Sequence, residues 1–249
     1  MPVSLETLSA LAAYLPQPLV RLLRDDPYRD WVGFAHQQPA AVIFADLVGF
    51  TPMTELLTAQ GREGAEELTR ILDQVFTALI ATCEEYGGVV GKFVGDALTV
   101  YWAVESDAGL PLAIQSALTC ALELQSQMGA FARVPTTVGS FRLTMRVGVA
   151  AGVIELRVVG DATVGLEALV LGWPLLAASD AQRVAKPGQV VAHSSVSSEA
   201  IGHEQDGMLV VESPVYRAVP HPLVSLSWDS VTNPDDVAAL VARFLPSAL

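Results

Sequence analysis

An apolar run over residues 40–45 ends on a carboxylate, Asp46, and then on a glycine, Gly49. Six such side chains bounded by a turn signal read as a strand buried on both faces. The run therefore belongs inside a sheet and brings a charge to its end. A second carboxylate, Asp96, stands in Lys-Phe-Val-Gly-Asp-Ala over residues 92–97, at the tip of a strand-turn-strand spanning 89–94 and 97–102. An aspartate in a Gly-Asp turn also serves simply to cap a hairpin. The pair says more than either alone. Carboxylates at the end of a central strand and in a neighbouring hairpin can face each other and hold a pair of divalent ions. A clamp of that kind on attacking and leaving phosphate oxygens makes the chain a candidate for phosphoryl or nucleotidyl transfer.

The order of elements agrees with such a site. Residues 63–86 carry Leu68, Ile71, Leu72, Val75, Phe76, Leu79, Ile80 and Cys83 at helical spacing, and Gly87 and Gly88 stop the helix. A second helix is expected over 110–128, and residues 142–151 alternate as a strand. The resulting βαββαβ order is the ferredoxin-like split motif shared with polymerase palms, an α/β (α+β) fold. Further strands are expected over 154–159, 166–171 and 189–192, with a helix over 173–183 whose Pro174 is tolerated in the first turn.

At 249 residues the chain holds one full domain with flanking segments. No run approaches the roughly 18 apolar residues of a spanning helix, and the first residues lack the basic and apolar regions of a signal peptide. Cys83 and Cys120 fall on apolar helix faces and read as buried free thiols of a reducing compartment, which places the chain in the cytoplasm. A net charge of −13 argues against a nucleic-acid surface. The four histidines are not at metal-ligand spacing, which excludes zinc in favour of oxygen-bound Mg²⁺ or Mn²⁺.

Three ordered motifs carry a resemblance. Ile-Phe-Ala-Asp-Leu-Val-Gly-Phe-Thr over 43–51, Gly-Gly-Val-Val-Gly-Lys-Phe-Val-Gly-Asp-Ala-Leu over 87–98 and Leu-Thr-Met-Arg-Val-Gly-Val-Ala-Ala-Gly over 143–152 resemble the class III nucleotidyl cyclase homology domain. The wording over 145–152 is most similar to the first catalytic domain of the soluble adenylyl cyclases. The resemblance implies a cyclase domain over 39–220, a helical lead-in over 1–38 and a linker over 221–249. It implies two metal ions on Asp46, Asp96 and the Leu47 carbonyl, and ATP, ahead of GTP, as substrate. Backbone N–H groups of Gly49, Phe50 and Thr51, at the start of a helix near Pro52, would meet the triphosphate. Arg146, a charge inside an apolar strand, needs an anion. The resemblance makes that anion the terminal phosphate; an internal acidic partner is the alternative. Lys92 matches a purine-reading lysine, which in the soluble cyclases' first domain instead lies in a bicarbonate site; a solvated or ion-paired lysine is equally compatible.

The pattern also breaks. Where the family's complementary half carries an Asn and an Arg that stabilise the transition state, this chain has Leu176 and Asp180, and the base-reading position holds Leu169. Leucine cannot steady a developing negative charge, and aspartate has the wrong sign. Ser179 replaces the arginine that accompanies the lysine in bicarbonate binding, with Arg183 nearby. A symmetric homodimer would lack the same groups twice, so a tandem or heterologous partner domain is expected. The Leu-Pro lead-in over 14–19 returns over 244–249, which points to a second cyclase domain downstream. The competing readings are a silent nucleotide-sensing module and another palm-type nucleotidyl transferase.

Overall fold

The computed structural model describes residues 3–161, 164–224, 226–228, 231 and 233–245. In chain order the helices are α1 (Leu5–Ala12), α2 (Gln17–Asp25), α3 (Phe50–Thr58), α4 (Arg62–Glu85), α5 (Leu110–Gln127), α6 (Trp173–Val184) and α7 (Pro234–Ala242). The strands are β1 (Ala35–Val48), β2 (Val89–Val94), β3 (Ala97–Ala103), β4 (Val134–Thr136), β5 (Gly139–Phe141), β6 (Thr144–Asp161), β7 (Gly165–Leu171), β8 (Val190–Ala192), β9 (Ala200–Gln205) and β10 (Met208–Pro214). The chain divides into two units. One comprises Gln38–Ile154 and Gly172–Leu223; the other comprises Met1–Gln37, Glu155–Leu171 and Val224–Leu249.

The larger unit holds the mixed sheet in the order β2-β3-β1-β6-β8-β10-β9. Its first four strands realise the βαββαβ pattern: β2 and β3 form an antiparallel hairpin, β3 pairs antiparallel with β1, and β1 neighbours β6. The parallel partner of β6 is β8. Period-two alternation sorts the central strands onto two faces. Ala41, Ile43, Ala45 and Leu47 of β1, with Met145, Val147, Val149 and Ala151 of β6, join the main core. That core is closed by Ile71, Val75, Leu79 and Cys83 of α4 and by Ala117, Leu118, Ala121 and Leu124 of α5. The intervening residues Asp46, Arg146 and Gly148 lie on the opposite face.

The end of α4 shows why two glycines follow it. The Gly88 N–H donates to the Cys83 carbonyl at 2.8 Å and the Gly87 N–H to the Glu84 carbonyl at 3.0 Å, closing the helix with Gly87 at φ +73°. A Cβ on Gly88 would meet the Trp102 ring at 2.6 Å, and the same indole donates to the Tyr86 carbonyl at 2.7 Å. Cys83 and Cys120 are buried free thiols.

Two strands expected over 142–151 and 154–159 are one continuous β6 of 18 residues. Gly152 does not interrupt it. A Cβ there would lie 3.1 Å from Pro174 Cγ, so the glycine makes room for the first turn of α6. The β9–β10 hairpin was not anticipated. Its edge strand, Ala-Ile-Gly-His-Glu-Gln, is exposed almost throughout and carries no apolar alternation to reveal it.

In the smaller unit, α1, α2 and α7 pack with the β6–β7 arm around Leu8, Leu19, Leu23, Trp31, Leu156, Val158, Val237 and Val241. Helices α1 and α7, which precede the two Leu-Pro segments, lie against each other. Residues 246–249 of the second segment fall outside the described residues. Among the described residues no helix is long and apolar enough to cross a membrane.

Candidate active site

Asp46 lies two residues before the end of β1, paired in register with Ala97 at the start of β3. The residue just ahead of Ala97 is Asp96, in the turn of the β2–β3 hairpin beside Gly95 at φ +65°. The Leu47 N–H donates to the Asp96 carbonyl at 3.4 Å, tying the hairpin tip to the end of β1. The two aspartates, 50 positions apart in the chain, are therefore neighbours because of strand register.

Electrostatics records that proximity. Burial, first, raises the Asp96 carboxyl above the ordinary aspartate range; a backbone hydrogen bond opposes it, the Asp46 charge adds to it, and Arg146 offsets part. The folded state therefore holds the Asp96 proton more tightly than the unfolded chain. Stability linked to Asp96 is fully present below the unfolded pKa and is lost as pH rises toward the folded value. Asp96→Asn is expected to raise the melting midpoint at neutral pH in cation-free buffer, with the gain fading toward acid. A variant that melts below the native chain at neutral pH would show that Asp96 is held by favourable contacts.

Arg146 projects from β6 and its Nη2 lies 2.5 Å from Asp46 Oδ2. The acid near at hand is thus Asp46. The Arg146 side chain is 36% exposed, while its Nε is buried without a hydrogen-bond partner among the described residues. A third group joins them: Gln182 Nε2 of α6 donates to the same Asp46 Oδ2 at 3.2 Å. Sequence reasoning missed Gln182. The available signal was a polar residue on the otherwise small, buried face formed by Ala177, Ala178 and Ala181.

Gly49 caps α3 at φ +92°, and a Cβ there would lie 2.3 Å from the Arg142 carbonyl oxygen. Only glycine meets both demands. Helix α3 then begins at Phe50, two residues ahead of the expected start, with Phe50 packed against the core and Thr51 exposed. The first-turn N–H groups belong to these residues, as anion binding at a helix terminus requires. Lys92 sits on β2, where its N–H and carbonyl both bond the Thr99 hydroxyl at 3.1 Å.

The positions that break the pattern fall on α6 and β7. On α6, Leu176 is 67% exposed and Asp180 is occupied by Arg183 at 3.4 Å. Ser179 is half-buried between them. Leu169 belongs to β7, opposite Arg157. Trp173, 54% exposed, meets the His193 ring edge-on at 5.0 Å.

Hard carboxylate oxygens that repel each other suit a divalent cation, which relieves the repulsion. Among the described residues no three His, Cys, Asp or Glu side chains converge. A cation on this pair would draw its other ligands from backbone, nucleotide or water, the pattern typical of Mg²⁺.

Residues 33–205 match the family model described as Adenylate and Guanylate cyclase catalytic domain. The chain belongs to this family. Adenylate cyclase type 10 of Oryctolagus cuniculus is 33% identical over 189 residues, which cover 73% of this chain and 11% of that protein. The chain thus spans about a tenth of the length of the curated relatives it matches. Among solved structures, the adenylyl cyclase CyaB from P. aeruginosa superimposes with a TM-score of 0.57 at 21% identity, covering 73% of this chain and 98% of that one. The guanylyl cyclase Cya2 gives a TM-score of 0.59 at 18% identity, with coverages of 76% and 100%. The α/β architecture described above is the palm-type fold of class III cyclase domains, a family that generally uses divalent metals.

Proposed function

We propose that this chain is the metal- and triphosphate-binding half of an adenylyl cyclase, forming 3′,5′-cyclic AMP and pyrophosphate from ATP beside a complementary cyclase domain. One observation carries the reading: Asp46, Asp96 and Arg146 are gathered at one place, whereas Leu176 and Asp180 stand where transition-state donors are expected. The adenylate cyclase type 10 relatives support ATP over GTP.

Divalent cations, Mg²⁺ or Mn²⁺ and two in number on this reading, would activate the 3′-hydroxyl and neutralise charge on the phosphates. Asp46 and Asp96 would hold them, with the Leu47 carbonyl as a further ligand. The N–H groups of Gly49, Phe50 and Thr51 receive the triphosphate at the positive end of α3. Arg146 has the length, the exposure and an unsatisfied Nε to exchange Asp46 for a terminal phosphate oxygen. Lys92 faces either the base or a regulatory anion. Of the two, bicarbonate has less support, because Ser179 supplies no charge and Arg183 is already paired with Asp180. The complementary domain would read the purine and steady the pentacoordinate phosphorus of the transition state.

The test is cyclic-nucleotide formation from ATP and from GTP with Mn²⁺. The chain is assayed alone and then with a cyclase domain that carries the missing Asn and Arg. Silence alone and activity in the mixture is the expected result. Robust turnover by the isolated chain would overturn the half-site reading. Silence in both, with Mn²⁺-dependent ATP binding retained, would favour the regulatory alternative, a nucleotide sensor that the Leu176 and Asp180 substitutions already suit.

A further inference from the structure

We propose that Gln182 is a positioning residue for Asp46, a buried amide that fixes which carboxylate oxygen is left for the cation. The inference deepens the proposed function and rests on Asp46 being a cation ligand.

Two donors converge on Asp46 Oδ2: Arg146 Nη2 at 2.5 Å and Gln182 Nε2 at 3.2 Å. Neither of these bonds engages Oδ1. The two donors differ in kind. Arg146 is charged and 36% exposed, so an incoming triphosphate competes for it, and its hold on Asp46 weakens when nucleotide arrives. Gln182 is neutral and only 5% exposed, and a phosphate has little attraction for it. It keeps Asp46 oriented after Arg146 has turned away.

The backbone makes Gln182 a fixed point. A Cβ on Gly148 would lie 1.9 Å from the Ala178 carbonyl oxygen and 2.4 Å from the Gln182 nitrogen. Helix α6 therefore rests directly on β6, with Ala178 fully buried. This close approach lets a side chain of glutamine's length pass from α6 to the end of β1. An amide in that setting is costly unless it is hydrogen-bonded, and Asp46 is the acceptor it finds. Partners that orient a ligating carboxylate typically govern metal affinity about 10- to 100-fold.

The experiment titrates Mn²⁺ alone into the full 249-residue chain, with free Mn²⁺ counted by electron paramagnetic resonance and melting followed by circular dichroism. The variants are Gln182→Met, which keeps the volume and removes the donor, Gln182→Asn, which keeps a buried amide too short to reach, and Asp46→Asn. Both Gln182 variants are expected to bind Mn²⁺ about tenfold or more weakly; Gln182→Met should melt close to the native chain, and Gln182→Asn, whose buried amide loses its acceptor, lower. A merely structural glutamine would shift melting and leave affinity alone. Native affinity in both variants, beside its loss in Asp46→Asn, would overturn the positioning role. Should Gln182→Met fail to fold, Gln182→Asn decides. Mn²⁺ binding that is absent from the native chain, or unchanged by Asp46→Asn, would overturn the ligand reading of Asp46 and this inference with it.

Discussion

Replacing Asp46 with alanine is expected to cut cyclic-nucleotide formation in the complemented assay by about 10³-fold, several kcal/mol of lost charge stabilisation at roughly 1.4 kcal/mol per decade. The size follows from how much converges on one carboxylate. It is half of the acidic pair, and it also accepts from Arg146 and Gln182. Removing it leaves Arg146 partly in water, at modest cost, but leaves the amide of Gln182 buried without its acceptor. An orphaned buried amide costs about 1–3 kcal/mol, which for a domain of this size is roughly 2–4 °C of melting temperature per kcal/mol. Asp46→Asn separates the two effects. Its amide oxygen still accepts from Gln182, so melting should recover toward native while activity stays low. Activity within about tenfold of native in either variant, against the several kcal/mol expected of a metal ligand, would remove Asp46 from the site.

Gly148→Val is expected to destabilise the fold more than any surface change, by about 3 kcal/mol or more, at the upper end of overpacking costs. The atoms in the way are the Ala178 carbonyl oxygen and the Gln182 nitrogen, both backbone, so no side chain can rotate aside. Relief requires α6 to lift from β6, which also withdraws Gln182 from Asp46. A fall of about 6–12 °C in melting temperature is the corresponding signal. Gly91→Ala serves as the comparison. A Cβ there meets the Thr99 hydroxyl and the Tyr101 ring at 3.4 Å, near ordinary contact, and the change should be small. If Gly148→Val melts with Gly91→Ala, the close helix–strand approach is not a structural requirement.

The parts of this molecule that were legible beforehand are those in which local pattern and tertiary role coincide. Helix α4 buries one stripe, so the 3.6-residue period marked it within a few residues of its ends, whereas α5 is buried on all sides over residues 113–121 and showed itself by its apolar content and length. The central strand β1 is apolar on both faces and announced itself as a run. The continuity of β6 was not legible, because Gly152 reads locally as a break and is explained only by the Pro174 ring packed against it. Strand β9 escaped notice because an exposed edge strand has no core face to pattern. The smaller unit draws on three distant stretches of chain, an association that no local period encodes.

For the site, sequence alone determined which residue stands at the end of β1 and which at the hairpin tip. Strand length and turn chemistry are local, and they place Asp46 and Asp96 at ends whatever surrounds them. On the proposed reading, the residue types alone also bear on what a partner would supply, since leucine at 169 and 176 and aspartate at 180 cannot replace a base-reading polar group, an Asn or an Arg. Only the tertiary structure decided whom Asp46 meets. Arg146 lies 100 positions away and Gln182 lies 136 away, and both reach one oxygen. The physical causes are two: β1 and β6 are neighbours in the sheet, which brings Arg146 to Asp46, and the absence of a side chain at Gly148 lets α6 rest closely enough on β6 for Gln182 to reach the same oxygen.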